Sequence, residues 1–146
     1  MNYKDRLIPE LKTLQDKREA LINIPEQIKI LEMRYGALRA AQTDAQPVSG
    51  SSISRRENDL LCNIAERNAL KLDLMIAQRE VALMESALHS LSDVEQRVLD
   101  RAYINRRKNY IEQLCVELNY EVAQVYRIKD SALIKLARIL YGRAEV

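Results

Sequence analysis

Residues 55–90 contain neither glycine nor proline, and this stretch constrains the fold more than any other feature of the chain. Its 36 positions predict one helix of about 50 Å, at about 1.5 Å per residue. Apolar residues repeat along it at seven-residue intervals on two interleaved ladders, namely Leu74, Val81 and Leu88, and Leu70, Ala77, Met84 and Leu91. A chain with so long a helix and only three glycines and three prolines is expected to be all-α.

The long helix has a further apolar face, formed by Leu61, Ile64, Leu72 and Met75. Two apolar faces predict contacts with more than one neighbouring helix. The simplest arrangement is an antiparallel coiled-coil bundle, in which two N-terminal helices pack along the long one. Partner chains could supply the same contacts, so a homo-oligomer formed through the long helices is the alternative.

The N-terminal helices are predicted from apolar stripes on either side of Pro25, namely Leu7, Leu11, Leu14 and Leu21, and Ile28, Leu31, Tyr35 and Leu38. Pro25 either begins the second helix or kinks one long helix. Residues 43–54 are rich in serine, glycine and proline and predict a loop, after which Ser54 and Glu57 form a candidate capping box. Residues 1–91 are thus expected to form the bundle.

Ser92 and Glu95 form a second candidate capping box, which begins a domain over residues 92–146. One apolar stripe follows it, and the polar segment 104–109 then breaks the helix. The last helix carries a second stripe and ends at Gly142 as a candidate C-cap. The two stripes comprise Val94, Val98, Leu99, Ala102 and Tyr103, and then Val122, Val125, Ile128, Leu133, Leu136 and Leu140.

Charge and cysteine usage set limits on function. The net charge is +2, with 10 basic and 8 acidic residues after position 91, so charge permits nucleic-acid binding without indicating it. Cys62 and Cys115 lack partners at metal-binding or disulfide-motif spacing and are expected to be small core residues. No signal peptide or membrane span is expected, so a cytoplasmic location is predicted. We expect no enzyme, cofactor or metal site.

Residues 111–130 have the spacing of a helix-turn-helix. Cys115 is the small residue where the two helices cross, and Asn119 can adopt the positive φ of the turn. Five apolar residues would lock the helices together, namely Leu114, Leu118, Tyr120, Val125 and Ile128. A tight helical hairpin inside a bundle satisfies the same spacing and is the alternative.

The candidate DNA-binding residues lie on the second helix of this motif and in the loop before the first. Glu121 and four other side chains would project outward from the second helix, namely Gln124, Tyr126, Arg127 and Lys129. Glutamine and arginine can read base edges, whereas tyrosine and lysine can contact phosphates. Arg106, Arg107 and Lys108 are either a phosphate clamp or a solvated loop.

Residues 91–141 resemble region four of bacterial sigma factors. The residues at the positions of the region-four pattern are Leu91, Glu95, Arg97, Val98, Leu99, Arg101, Tyr103, Leu114, Cys115, Leu118, Val125, Ala132, Leu133, Lys135, Leu136 and Arg138. The departures are Cys115 for alanine, Asn119 for glycine, Glu121 for serine or threonine, and one extra residue in segment 104–109. With the preceding bundle, the chain is similar to small phage regulators, the ArpU-like and RinA-like late transcription activators.

The resemblance implies a transcriptional regulator of prophage genes that binds duplex DNA through its C-terminal helix-turn-helix. Two other functions stay open from the sequence. One is a small terminase-like DNA-packaging protein, which can also pair a helix-turn-helix with an oligomerising segment. The other is an interaction protein that binds RNA polymerase without contacting DNA.

Overall fold

The computed structural model describes residues 2–44 and 50–143, and describes side-chain surroundings for 2–41 and 54–143. These residues form helices and contain no strand, so the all-α prediction is confirmed. The helices are α1 (Tyr3–Lys12), α2 (Leu14–Asp44), α3 (Gly50–His89), α4 (Asp93–Leu99), α5 (Tyr110–Leu118) and α6 (Val122–Tyr141). A π-helical turn, Asp100–Ile104, extends α4.

The first interruption of the N-terminal helices lies at Thr13, not at Pro25. The Thr13 hydroxyl donates to the carbonyl oxygen of Pro9 at 2.9 Å, a side-chain bond that competes with the regular helical pattern. Pro25 lies inside α2, which runs from Leu14 to Asp44. Of the two predicted roles of Pro25, the structure therefore favours a position within one continuous helix.

The predicted loop at 43–54 is shorter in the structure. Residues 43–44 and 50–54 are helical, and 45–49 lie outside the described residues. Ser54 is therefore inside α3, and the prediction that it caps this helix is wrong. The physical reason is cooperativity, because extending a formed helix by one turn costs far less than nucleating one.

Two compact units make up the fold, and their limits differ from the predicted boundary between residues 91 and 92. The composite unit comprises Met1–Arg18 and Arg79–Val146, and the hairpin unit comprises Glu19–Gln78. Both ends of the chain therefore contribute to the unit that contains the helix-turn-helix segment.

The hairpin unit consists of parts of α2 and α3, and the short connection between these helices makes them antiparallel. Ile28 and Leu31 are buried in it. The buried Asn63 amide donates to the carbonyl oxygen of Leu31 at 2.9 Å, and the Arg67 guanidinium lies 4.7 Å from the centre of the Tyr35 ring. A polar side chain thus fixes the register of an otherwise apolar contact.

Of the four residues predicted to form the second apolar face of α3, Leu61, Leu72 and Met75 are exposed, whereas Ile64 is half-buried. We call the exposed large apolar residues of α3 in the hairpin unit the outer stripe, which comprises Leu61, Leu72, Met75 and Ile76. Leu72 is 57% exposed. Cys62 is exposed as well, so the prediction of a core cysteine is wrong at this position. It lies next to Leu61 in sequence.

In the composite unit, α1 packs against α6 and the π-helical turn. Leu7, Leu11 and Leu14 are fully or almost fully buried. The Tyr141 hydroxyl donates to a Glu10 carboxylate oxygen at 2.7 Å. Burial, followed by this hydrogen bond, raises the pKa of Tyr141. The first helical segment, which the sequence assigned to the bundle of residues 1–91, therefore contacts elements of the C-terminal region.

A bilayer-crossing segment needs a long apolar stretch, and none of the described helices offers one.

Candidate nucleic-acid interface

The first helix of the C-terminal region begins at the predicted capping box. The backbone N–H of Glu95 donates to the Ser92 hydroxyl at 3.2 Å, and the backbone N–H of Ser92 donates to Glu95 Oε1 at 3.3 Å. Lys135 of α6 places its Nζ 3.2 Å from the same carboxylate. Glu95 therefore caps α4 and ties it to α6 through a buried carboxylate.

Burial raises the pKa of Glu95, but the hydrogen bonds from Ser92 and the charge of Lys135 outweigh it. The net result is a pKa below the ordinary value of 4.5. The carboxylate is therefore charged in the folded protein at neutral pH, as its contact with the Lys135 ammonium group requires.

The helix-turn-helix has its own apolar core. Val98, Leu114 and Val125 are fully buried there, one from each of α4, α5 and α6. Partly buried side chains surround them, namely Val94, Tyr110, Ile111, Cys115, Leu118, Tyr120 and Ile128. All five predicted locking residues and Cys115 belong to this cluster. The α5–α6 pair is thus held by a third helix, as the helix-turn-helix motif requires.

The turn between α5 and α6 occupies residues 119–121. Asn119 has φ 57° and ψ 43°, the left-handed conformation predicted for this position. The backbone N–H of Tyr120 donates to the Cys115 carbonyl oxygen at 3.2 Å. Glu121 then takes the N-cap position of α6 in an extended conformation, and its side chain makes no capping hydrogen bond.

The residues of α6 that are predicted to contact DNA differ in their exposure to solvent. Gln124, Tyr126 and Arg127 are exposed. Lys129 is half-buried, and its Nζ lies 4.8 Å from the centre of the Tyr126 ring. The Lys129 ammonium group is therefore partly engaged by an aromatic face within α6.

The predicted basic loop lies between the π-helical turn and α5. Arg106, Arg107 and Lys108 are exposed, and the loop ends at Asn109, which has φ 58°. The backbone N–H of Arg107 donates to the Arg101 carbonyl oxygen at 3.3 Å. The loop is therefore anchored by its backbone while its three cationic side chains face solvent.

Arg101 joins the π-helical turn to α5. Its Nη2 lies 2.8 Å from Glu117 Oε1, and the Arg101 side chain is largely buried. The hydrogen bond from Arg101 is the main cause that lowers the pKa of Glu117, and Arg97 and Arg107 add to it. Several positive charges thus surround one carboxylate beside the basic loop.

Three features of this surface were missed by the sequence interpretation. Val122 was assigned to the apolar stripe, but it is 51% exposed. Asp130 is exposed one turn beyond Arg127, and Lys4 of α1 lies 3.8 Å from its carboxylate. Val122 could have been recognised, because the first residue of a helix lies before the turn that packs on the core. The Lys4–Asp130 contact joins residues far apart in the sequence, so no local sequence pattern predicts it.

Within residues 2–44 and 50–143, no group of three or more histidine, cysteine or acidic side chains is placed to hold a metal ion. Comparisons found no matching protein-family model, curated protein or solved structure. The candidate interface consists of an exposed face of α6, a three-residue turn and a separate basic loop.

Proposed function

We propose that this protein is a DNA-binding transcriptional regulator, of the phage type that the sequence resembles, and that α6 enters the major groove of duplex DNA. The observation that carries the proposal is the three-helix arrangement around Val98, Leu114 and Val125. In such motifs, the N-terminal part of the second helix contacts base edges. A regulator of this type acts in the cytoplasm, where its DNA is.

The chemistry of the exposed face supports this assignment. The exposed amide of Gln124 and guanidinium of Arg127 are groups that form paired hydrogen bonds with adenine and guanine. Arg106, Arg107 and Lys108 supply three exposed cations for phosphate oxygens. Among the described residues, Arg127 forms no ion pair that would have to break before binding.

Fluorescence polarisation with labelled duplex fragments tests the proposal. We expect binding at about 50 mM salt that weakens steeply toward about 200 mM, because phosphate contacts release condensed counterions. Arg127→Ala should weaken binding roughly 5–150-fold, which corresponds to about 1–3 kcal/mol. Arg138→Ala is the matched control, since it removes the same exposed charge near the other end of α6.

Absence of binding at about 50 mM salt would contradict the proposal, since phosphate contacts are strongest at low ionic strength. If transcriptional activity persisted unchanged in the Gln124→Ala, Arg127→Ala double variant, contact with RNA polymerase without DNA would be the better description. These two outcomes separate DNA binding from binding to a protein partner.

The proposal includes a homo-oligomer formed through the hairpin unit. The outer stripe places large apolar side chains three, four or eleven residues apart, which brings them to one side of α3. Met33 of α2 is 75% exposed and adds apolar surface to the same unit. Monomeric proteins rarely expose large apolar patches, and where such patches occur they commonly mark interaction sites.

Leu72→Gln should shift the protein toward monomer, because it places a polar amide in the centre of the outer stripe. Ile139→Gln is the control, because Ile139 is an exposed apolar residue of α6 outside the hairpin unit. Light scattering coupled to size-exclusion chromatography measures the mass of each variant. A monomeric wild type would contradict this part of the proposal, and a ring of eight or more subunits would favour DNA packaging.

A further inference from the structure

Two small apolar side chains stand at the start of α6 on the proposed DNA-binding face. Val122 is the first residue of the helix and is half-exposed, and Ala123 beside it is exposed. The buried contact between α6 and the rest of the motif begins only at Val125. Val122 therefore contributes little to the core, and its methyl groups are available to a partner.

The neighbours of these side chains indicate what that partner is. One helical turn further on, Tyr126 follows Val122 and Arg127 follows Ala123, so apolar and hydrogen-bonding groups alternate along one exposed face. The contact of Lys129 with the Tyr126 ring limits the freedom of the tyrosine beside Val122. A helix face with methyl groups next to an arginine is complementary to a surface that offers both an apolar group and hydrogen-bond acceptors.

The major groove offers this combination at thymine. Thymine presents its C5-methyl group to the groove, the only apolar group among the four base edges, and guanine presents two acceptors suited to arginine. Alanine and other small apolar side chains contact that methyl group directly. Serine or threonine at position 122 would offer a hydroxyl to bases or phosphates, whereas valine offers only methyl groups.

We propose that Val122, with Ala123 beside it, contacts the C5-methyl group of thymine and so makes thymine the preferred base opposite the start of α6. The inference rests on the proposed function, because it concerns the same helix in the same groove. It goes further by naming the base and the atoms that are recognised.

The experiment replaces thymine by deoxyuridine, which removes the methyl group and keeps the base pair. Duplexes bound by the full-length protein are first selected from a random library, and each thymine of the selected site is then replaced singly. At one or two positions, deoxyuridine should weaken binding by wild type about threefold to fivefold, the loss that corresponds to one buried methyl-sized group.

Variants at position 122 identify the side chain that makes the contact. In Val122→Ser, the deoxyuridine and thymine duplexes should bind equally, whereas Val122→Thr keeps one methyl group and should retain part of the difference. Val116→Ser is the matched control, because Val116 is 84% exposed on α5 and outside the start of α6. It should keep the full effect of deoxyuridine. Circular dichroism establishes that the variants are equally folded.

The outcomes separate this inference from the function on which it rests. If the protein binds DNA but no deoxyuridine replacement weakens binding, the thymine contact is wrong and the DNA-binding function stands. The same holds if Val122→Ser keeps the full effect of deoxyuridine, or if the selected sites lack thymine. If the library yields no bound duplex at about 50 mM salt, both proposals fall.

Discussion

Glu121 affects both the stability of α6 and the proposed binding of DNA. It occupies the N-cap of α6, yet its side chain makes no hydrogen bond to the free N–H groups of the first turn. Serine, threonine, asparagine and aspartate satisfy those groups far better than longer side chains do. Its negative charge favours the helix dipole but repels phosphate. The position is therefore suboptimal as a cap and unfavourable for binding DNA.

Replacing this residue should improve both properties. Glu121→Ser is expected to raise the free energy of unfolding by about 0.5–1 kcal/mol, because the serine hydroxyl can cap α6. It should also strengthen DNA binding, because one negative charge leaves the face that approaches phosphate. Urea denaturation and fluorescence polarisation measure the two effects. Glu112→Ser, at an exposed position of α5, is the control, and equal behaviour of the two variants would contradict the prediction.

Glu95 predicts a dependence of stability on pH. Its pKa is lowered in the folded protein, so its charged form stabilises the fold fully above pH of about 4.5, the ordinary value. That contribution is lost as the pH falls through the lowered pKa. Glu95→Gln should therefore cost about 1–2 kcal/mol at pH 7 and progressively less below pH of about 4.5.

Urea denaturation between about pH 3 and pH 7 measures this difference. These limits lie about 1.5 units below and about 2.5 units above the ordinary pKa. Glu112→Gln is the control for removing one carboxylate from an exposed site. A difference between wild type and Glu95→Gln that stays constant with pH would show that the carboxylate charge plays no part.

Among the structural elements, the basic loop and α6 have different proposed roles in binding DNA. The loop carries three cations on a short irregular segment, in which the Arg107 backbone N–H donates to the Arg101 carbonyl oxygen and Asn109 adopts a left-handed conformation before α5. Such a segment can follow a phosphate backbone but offers no rigid base-reading surface. The helix α6 offers fixed spacing between side chains, which base recognition requires.

Removing the cations of the loop should lower affinity without changing sequence preference. We expect the Arg106→Gln, Arg107→Gln, Lys108→Gln variant to reduce the slope of log affinity against log salt by about 0.9 for each phosphate that the loop no longer neutralises. Polarisation titrations at several salt concentrations measure it. Triple replacement of Arg55, Lys71 and Arg79 by glutamine removes the same charge from α3 and is the control. An unchanged slope would identify segment 106–108 as a solvated loop.

Across the whole chain, the proposed DNA-binding module is built from both ends of the sequence. The composite unit places α1 on α6 and the π-helical turn, and buries Leu7 and Leu11 completely. The Tyr141–Glu10 hydrogen bond and the Arg6 guanidinium, 4.1 Å from the centre of the Tyr141 ring, join the same two helices. Residues 92–146 alone would leave this apolar surface of α6 uncovered.

A single substitution in α1 should therefore destabilise the C-terminal module. Leu7→Ala is expected to lower the free energy of unfolding by about 2–5 kcal/mol, because it leaves a cavity in a fully buried site. Leu83→Ala makes the same chemical change at an exposed position of the composite unit and should cost less than about 1 kcal/mol. Urea denaturation followed by circular dichroism compares them, and equal costs would contradict a structural role for α1.

Local patterns were sufficient to predict the helical class, the Ser92–Glu95 capping box, the left-handed turn at Asn119 and the Gly142 cap, where φ is 77°. Each depends on side chains within a few residues of one another, and the apolar spacing around Leu114 and Val125 fixed which faces meet. These features specify the helix-turn-helix and its exposed residues, whereas DNA binding and the base contacts stay predictions.

Long-range packing decided the rest, because its contacts join residues that no local pattern connects. The apolar stripe of Leu7 and Leu11 required a partner, but α6 and a bundle helix satisfy that requirement equally well in the sequence. The second apolar face of α3 is ambiguous in the same way, because the sequence position of Leu72 is compatible with a buried contact and with an exposed stripe. Apolar periodicity specifies that a face is to be covered, and only the distances between helices specify which helix covers it or whether it stays exposed.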